Sequence, residues 1–177
     1  GRDVATGEVG ELWFRGPHVS LGYWRQPEAT AAAYVAGGWF RSGDLARRDA
    51  DGFFTIAGRA KEMIISGGVN VYPAEIEAVL LQHPGVRDAA VVGVDDPTWG
   101  EAGIAFVVPL APGSAPADAL LDFVGERLAR FKLPKAVVHL SELPRTAYGK
   151  VVKGELKALY LSRRAAEAAV SREKMEG

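Results

Sequence analysis

The sequence contains no cysteine. Disulfides, thiolate metal sites and cysteine nucleophiles are therefore excluded. Histidine is scarce too: His18, His83 and His139 lie far apart with no ligand spacing, so no zinc site is expected. No apolar run approaches the roughly 20 residues a membrane span needs, and no signal peptide is visible, so the cytoplasm is the default location. Charge of one sign is also lacking. Net charge is −1 and the pI about 6.4, which offers nothing to nucleic acid or to an anionic membrane.

What is present is a globular composition, 48% hydrophobic and 24% charged over 177 residues. The chain opens at Gly1 in strand-like sequence without a methionine, from which a piece of a longer protein is expected.

Residues 8–15 read as a strand bounded by Gly7 and Gly16-Pro17. Pro27 opens a short helix over 27–36, which Gly37-Gly38 ends. Residues 39–59 read as a hairpin, with Asp49-Ala-Asp-Gly52 as the turn. Pairing Arg48 with Phe53 sets Asp44 opposite Ala57 and puts Arg59 on the same face as Asp44.

From Pro73 the pattern becomes mixed. Ile76, Val79, Leu80 and His83 form one helical face, with Glu75 and Glu77 in the first turn, where the dipole favours negative charge. His83 is read as a residue of the helix C-terminus. Strands are expected over 86–94 and 102–109, joined by 95–101, and Ile104, Phe106 and Val108 alternate as in a half-buried strand. A Pro/Gly/Ser linker follows. An amphipathic helix over 118–131 turns Leu120, Leu121, Val124, Leu128 and Phe131 inward as core. A strand over 136–140, a loop over 143–150 and a helix from about Val152 complete the chain. The Ala-rich, charged tail over 162–177 is expected to fray. The fold class is α+β: a small C-terminal α+β domain of short sheets packed with helices, preceded by a β-rich remnant.

Several residues could carry chemistry. Lys150 follows Gly149 on a loop just before a helix start, where an ammonium can meet phosphate; taken alone it reads as a solvated surface lysine. Asp44 could accept two hydrogen bonds from a sugar diol, or simply pair with Arg59 for about 0–1 kcal/mol. Gly67-Gly68 could let backbone approach a ligand, or be only a tight turn. Tyr23, Trp24, Trp39 and Trp99 read as packing residues.

Taken together these stretches are specific. Arg41-Ser-Gly-Asp44-Leu, then Gly58-Arg59-Ala-Lys61-Glu-Met-Ile-Ile-Ser-Gly67-Gly68-Val-Asn-Val-Tyr-Pro-Ala-Glu-Ile-Glu77, then Leu143-Pro-Arg-Thr-Ala-Tyr-Gly-Lys150 occur in order. In order and spacing they resemble three motifs of the adenylate-forming enzymes: acyl-CoA synthetases, peptide-synthetase adenylation domains and firefly luciferases. Met-Ile-Ile-Ser-Gly-Gly-x-Asn-x-Tyr-Pro is similar to the fatty-acyl and aryl CoA ligase branch, as is the Asp-Asp-Pro-Thr-Trp-Gly-Glu101 stretch.

The resemblance implies roles. Asp44 would bind the ribose hydroxyls of ATP and AMP, and Arg59 would help at ribose or phosphate. Lys61 falls at the hinge position. Lys150 would contact the α-phosphate and the acyl carboxylate. Gly67 and Gly68 would line the pantetheine path of CoA. Mg²⁺ would accompany ATP, with no metal held by the chain. Residues 1–59 would be the end of the large N-terminal AMP-binding domain and 60–177 the mobile C-terminal domain. The full-length protein would be an acid–thiol ligase acting on a fatty or aryl carboxylic acid.

The family's phosphate loop and its adenine and acyl pocket lie outside this sequence, so the fragment alone should not adenylate. Tyr148 and Val69 stand where the family often has a small or hydroxyl residue and a glutamate. A luciferase-like oxygenase, a carrier-protein loader and a non-catalytic binding module that kept the fold are the alternatives.

Overall fold

The computed structural model describes residues 2–176, with side chains described as far as residue 168. The chain divides into two compact units, Gly1–Glu62 and Met63–Gly177.

The first unit is an antiparallel sheet. Its central strand is β3 (Trp39–Arg48); β1 (Val9–Phe14) runs along one edge, and β2 (Tyr34–Val35) and β4 (Phe54–Arg59) share the other. Helix α1 (Pro27–Ala33) stops three residues short of the expected end. Tyr34 and Val35, an aromatic and a β-branched residue, leave the helix to pair with Phe40 and Trp39. Gly37 and Gly38, both at positive φ, therefore turn a hairpin rather than cap a helix.

The β3–β4 register differs from the expected one. The Asp49 side chain accepts N–H bonds from Asp51 and Phe53, drawing Phe53 into the turn, and Arg48 pairs with Phe54. A bulge at Ala57 adds a second one-residue slip, so Asp44 lies opposite Arg59. Two single slips restore parity, and the shared face survives. A 3-10 turn over Ala60–Glu62 ends the unit.

The second unit is built on a long hairpin, β7 (Val86–Asp96) and β8 (Gly100–Pro109). Residues 95, 96, 100 and 101, expected in the connection, belong to the strands. The other edge of β8 carries β5 (Ile64–Ser66) at Gly100 and, in parallel, β9 (Ala136–His139); β6 (Val69–Val71) pairs with β5. Helices α2 (Pro73–Leu80) and α3 (Ala117–Gly125) bury Ile76, Leu80, Leu120 and Val124 against Val91, Ala105 and Val107. The opposite face, with Val92, Ile104 and Phe106, is covered by Leu143 and by Leu156 of α4 (Lys153–Glu176).

Strand β8 is thus buried on both faces rather than half-buried. Burying Phe106 completely contributes about 3–5 kcal/mol on the scale of Phe-to-Ala truncations. The backbone of α4 is helical to Glu176. No described helix is long and apolar enough to cross a membrane. Helix α3 ends at Gly125, so Phe131 lies in a separate 3-10 turn (Arg130–Lys132) and is 47% exposed, not core.

Candidate functional site

In the first unit, the Arg59 guanidinium donates to Asp44 Oδ1 at 2.7 Å. Among the described residues no donor reaches Asp44 Oδ2, which leaves that oxygen open to a ligand. The approach to Asp44 is tied down from below. The Ser42 hydroxyl donates to the Leu12 carbonyl and accepts the Asp44 N–H. Glu11 accepts from Gly43 N, Trp13 Nε1 and Arg41. Burial works to raise the Glu11 carboxyl pKa, but the donors Trp13, Arg41 and Gly43 outweigh it and hold the carboxyl below its usual range. Glu11 was not singled out from the sequence. Its only signal is a charge within an apolar strand that pairs with the Asp44 strand. Lys61 lies in the closing 3-10 turn and is exposed.

In the second unit, Gly67 and Gly68 form the two-residue turn between β5 and β6, with φ of 58° and 80°. Positive φ at both positions is the geometry of a type I′ hairpin. Gly67 N–H donates to the Trp99 carbonyl at 2.8 Å, and Glu101 Oε2 accepts the Ile65 N–H at 2.7 Å. The turn is thereby fixed to the β7–β8 hairpin.

Beside it opens a cleft of about 490 Å³, lined by Ser66, Trp99, Arg130, Phe131, Lys132 and Lys135 over an apolar floor. Two of its three cations are engaged: Lys132 with both oxygens of Glu75, and Lys135 with the buried Asp96. Lys135, together with the N–H groups of Thr98 and Trp99, holds the Asp96 carboxyl below its usual range against the opposing effect of burial. Trp99 is 55% exposed and faces this cleft instead of packing in a core; Trp24, at 83%, is not a packing residue either. The aromatic–cation cluster was missed in the sequence because Phe131 fits a helical core pattern.

Lys150 sits on the hairpin of residues 145–151. Thr146 N–H donates to the Lys150 carbonyl, Lys150 N–H to Thr146 Oγ1, and Arg145 bridges to Val151. The Lys150 side chain is exposed, and among the described residues no carboxylate pairs with it. The hairpin leads directly into α4, whose Lys153 reaches Glu77 Oε1 at 2.8 Å; the same oxygen accepts Val91 N–H. Glu77 thus joins α2, β7 and α4, beyond the dipole role expected of it.

Asp44 and Arg59 therefore meet in one unit together with Lys61. Gly67, Gly68 and Lys150 belong to the other, on two separate hairpins. Among the described residues no group of three or more His, Asp or Glu side chains could hold a metal ion.

Residues 75–150 match the AMP-binding enzyme C-terminal domain. The chain is 50% identical to a feruloyl-CoA synthase of Amycolatopsis sp over 157 residues, 89% of this chain and 32% of that protein. It is 49% identical to a 2-succinylbenzoate–CoA ligase of Geobacillus kaustophilus, over 90% of this chain and 32% of that protein. Among solved structures, ATP-bound MatB from Rhodopseudomonas palustris superposes with a TM-score of 0.83 at 39% identity, over 90% of this chain and 32% of that one. The chain spans about a third of the length of the relatives it matches.

Proposed function

We propose, on the premise that the chain belongs to the AMP-binding enzymes and carries their C-terminal domain at residues 75–150, that it is the C-terminal part of an AMP-forming acyl-CoA synthetase. Residues 1–59 end the N-terminal nucleotide-binding domain, and 60–177 are the mobile domain that alternates about Lys61. The full-length protein is a cytoplasmic acid–thiol ligase acting on a fatty or aryl acid. This chain by itself does not adenylate.

The chemistry has two halves. A carboxylate oxygen attacks the α-phosphorus of ATP and pyrophosphate leaves. The thiol of CoA then attacks the acyl carbonyl and AMP leaves. Asp44 accepts the ribose hydroxyls, with Arg59 holding its other oxygen. Lys150 places its ammonium on the α-phosphate and acyl oxygens as charge builds there, a kind of stabilisation amounting to about 3–4 kcal/mol for preorganised donors. The Gly67-Gly68 turn lets the pantetheine chain pass close to backbone. The cleft beside it offers Trp99 and Phe131 as stacking surfaces and Arg130, which has no carboxylate partner among the described residues, as a cation for the anionic nucleotide end of CoA. Mg²⁺ would accompany ATP as counter-charge to its phosphates, with no ligand assigned to it among the described residues.

The observation that carries this reading is the exposed, carboxylate-free Lys150 on a fixed hairpin at the end of the matched domain. Its test is Lys150→Ala in the full-length protein. Adenylation, followed by pyrophosphate release across a panel of acids, should slow by about 100-fold or more, while thioester formation from supplied acyl-adenylate persists. Equal loss in both steps would remove the assigned role.

A further inference from the structure

We propose that Arg145 is a positioning residue for Lys150, acting as a clamp between the lysine hairpin and strand β7; this rests on the adenylation role proposed for Lys150. Nη1 of Arg145 donates to the Gly149 carbonyl at 2.6 Å, one residue before Lys150. Nη2 of the same guanidinium donates to Asp88 Oδ2 on β7. Asp88 is itself oriented, because its Oδ1 accepts the Ala89 N–H at 3.0 Å. Asp88 and Arg145 are 57 residues apart in sequence, so this contact is tertiary and joins two elements.

Among the described residues no other hydrogen bond or ion pair ties the tip, residues 146–149, to the sheet. The hairpin's internal bonds, from Thr146, Gly149 and Lys150, hold its shape but do not attach it to the sheet. Its base is attached through Leu143 in the core and Val151 packed against it, and Val152 N–H to the Pro144 carbonyl closes the two arms on each other. Gly149 adopts a φ of 81°, a conformation without steric preference of its own. A planar guanidinium spans a carboxylate and a carbonyl with two separate nitrogens in a rigid fork, whereas a lysine would have to reach both acceptors from one nitrogen on a flexible stem. Arg145 thus sets where the Lys150 Cα stands, and through it the position of an ammonium on a long flexible stem.

The experiment uses the full-length protein with Arg145→Gln, Arg145→Lys, Lys150→Ala and the double variant Arg145→Gln/Lys150→Ala. Arg145→Gln is expected to lower kcat for adenylation about 10- to 100-fold, the size of effect that a misplacement near 1 Å produces. The KM for ATP and the thioester half-reaction should hold. Arg145→Lys should restore little. In the Lys150→Ala background Arg145→Gln should add no further loss, because the clamp acts through the lysine. Amide exchange at Thr146, Gly149 and Lys150 should quicken in Arg145→Gln, with the global unfolding midpoint kept.

Unchanged kcat in Arg145→Gln, full rescue by lysine, or the same fold-loss with and without Lys150 would each overturn the clamp. If Lys150→Ala leaves adenylation intact, the proposed function fails instead, so the two failures are distinguishable. Should Arg145→Gln not fold, Asp88→Asn reports on the same contact: a smaller loss of the same kind supports the clamp, and no loss overturns it.

Discussion

Replacing Asp44 by alanine separates a nucleotide-binding carboxylate from one that merely pairs with arginine. The structure sets both magnitudes. The pair is short at 2.7 Å, but the Asp44 and Arg59 side chains are 33% and 46% exposed. Solvent screening at that exposure limits such a pair to about 0.2–1 kcal/mol of stability. Asp44 Oδ2 has no donor among the described residues, so no second internal bond is lost. A ribose hydroxyl bonded to a carboxylate contributes about 1.5–3 kcal/mol, and each 1.4 kcal/mol is about tenfold. One lost ribose bond thus lowers kcat/KM for ATP by about 10- to 100-fold. Pyrophosphate release against ATP concentration, paired with urea unfolding of the same full-length variant, reads both quantities. The expected result is a large kinetic loss with less than about 1 kcal/mol of destabilisation. A variant that unfolds readily but uses ATP normally would show that Asp44 serves the fold alone.

Lys61→Pro, which fixes φ in the 3-10 turn closing the first unit, should impair one half-reaction more than the other; equal rates in both would remove the hinge role. Gly67→Ala forces a side chain onto a φ of 58° and brings its Cβ to 3.0 Å from the Trp99 ring, so it should slow the thioester step and spare adenylation, as separate half-reaction assays would show. The folded pKa of Asp96 lies below its unfolded one. Its stabilising contribution is therefore present above the usual carboxylate range and lost as pH falls through the folded value. Asp96→Asn should accordingly be less stable than wild type at neutral pH and show a flatter acid limb in pH-dependent unfolding.

The parts of the fold that were legible in the sequence are those governed by local pattern. Pro73 before an apolar face announces α2, and Gly67-Gly68 announces a tight turn, which the structure shows to be of type I′. Failures came where tertiary contacts decide. Phe131 continues the spacing of α3, but Gly125 ends the helix and the ring turns to a cleft. The bulge at Ala57 leaves no trace in the alternation of β4, so the Asp44–Arg59 pairing could be placed on a face and not in register. Strand β8 looks half-buried because Ala105, on the face opposite Ile104 and Phe106, is small. Small residues are what a strand needs when helices press on it from both sides. Asp88, Asp96 and Glu101 read as solvated charges in a sequence, yet each is bound to a partner distant along the chain.

Those distant partners decide what kind of motion the second unit can support. The Gly67-Gly68 turn and the Lys150 hairpin, the two displays of the proposed function, are both attached to β7–β8, one through Glu101 and the Trp99 carbonyl, the other through Arg145 and Asp88. Freeing the glycine turn breaks two such bonds, and freeing the lysine hairpin breaks the Arg145–Asp88 ion pair, at about 0.5–1.5 kcal/mol net for each neutral bond and more for those to charged groups. Beneath them the hairpin is packed on both faces, with Val91, Ile104, Phe106 and Val107 fully buried. Loops tied in this way do not flex independently at low cost. On the proposed function, which needs the lysine for its first half and the glycine turn for its second, this stiffness favours presenting them by movement of the unit as one body, with Lys61 as the proposed hinge.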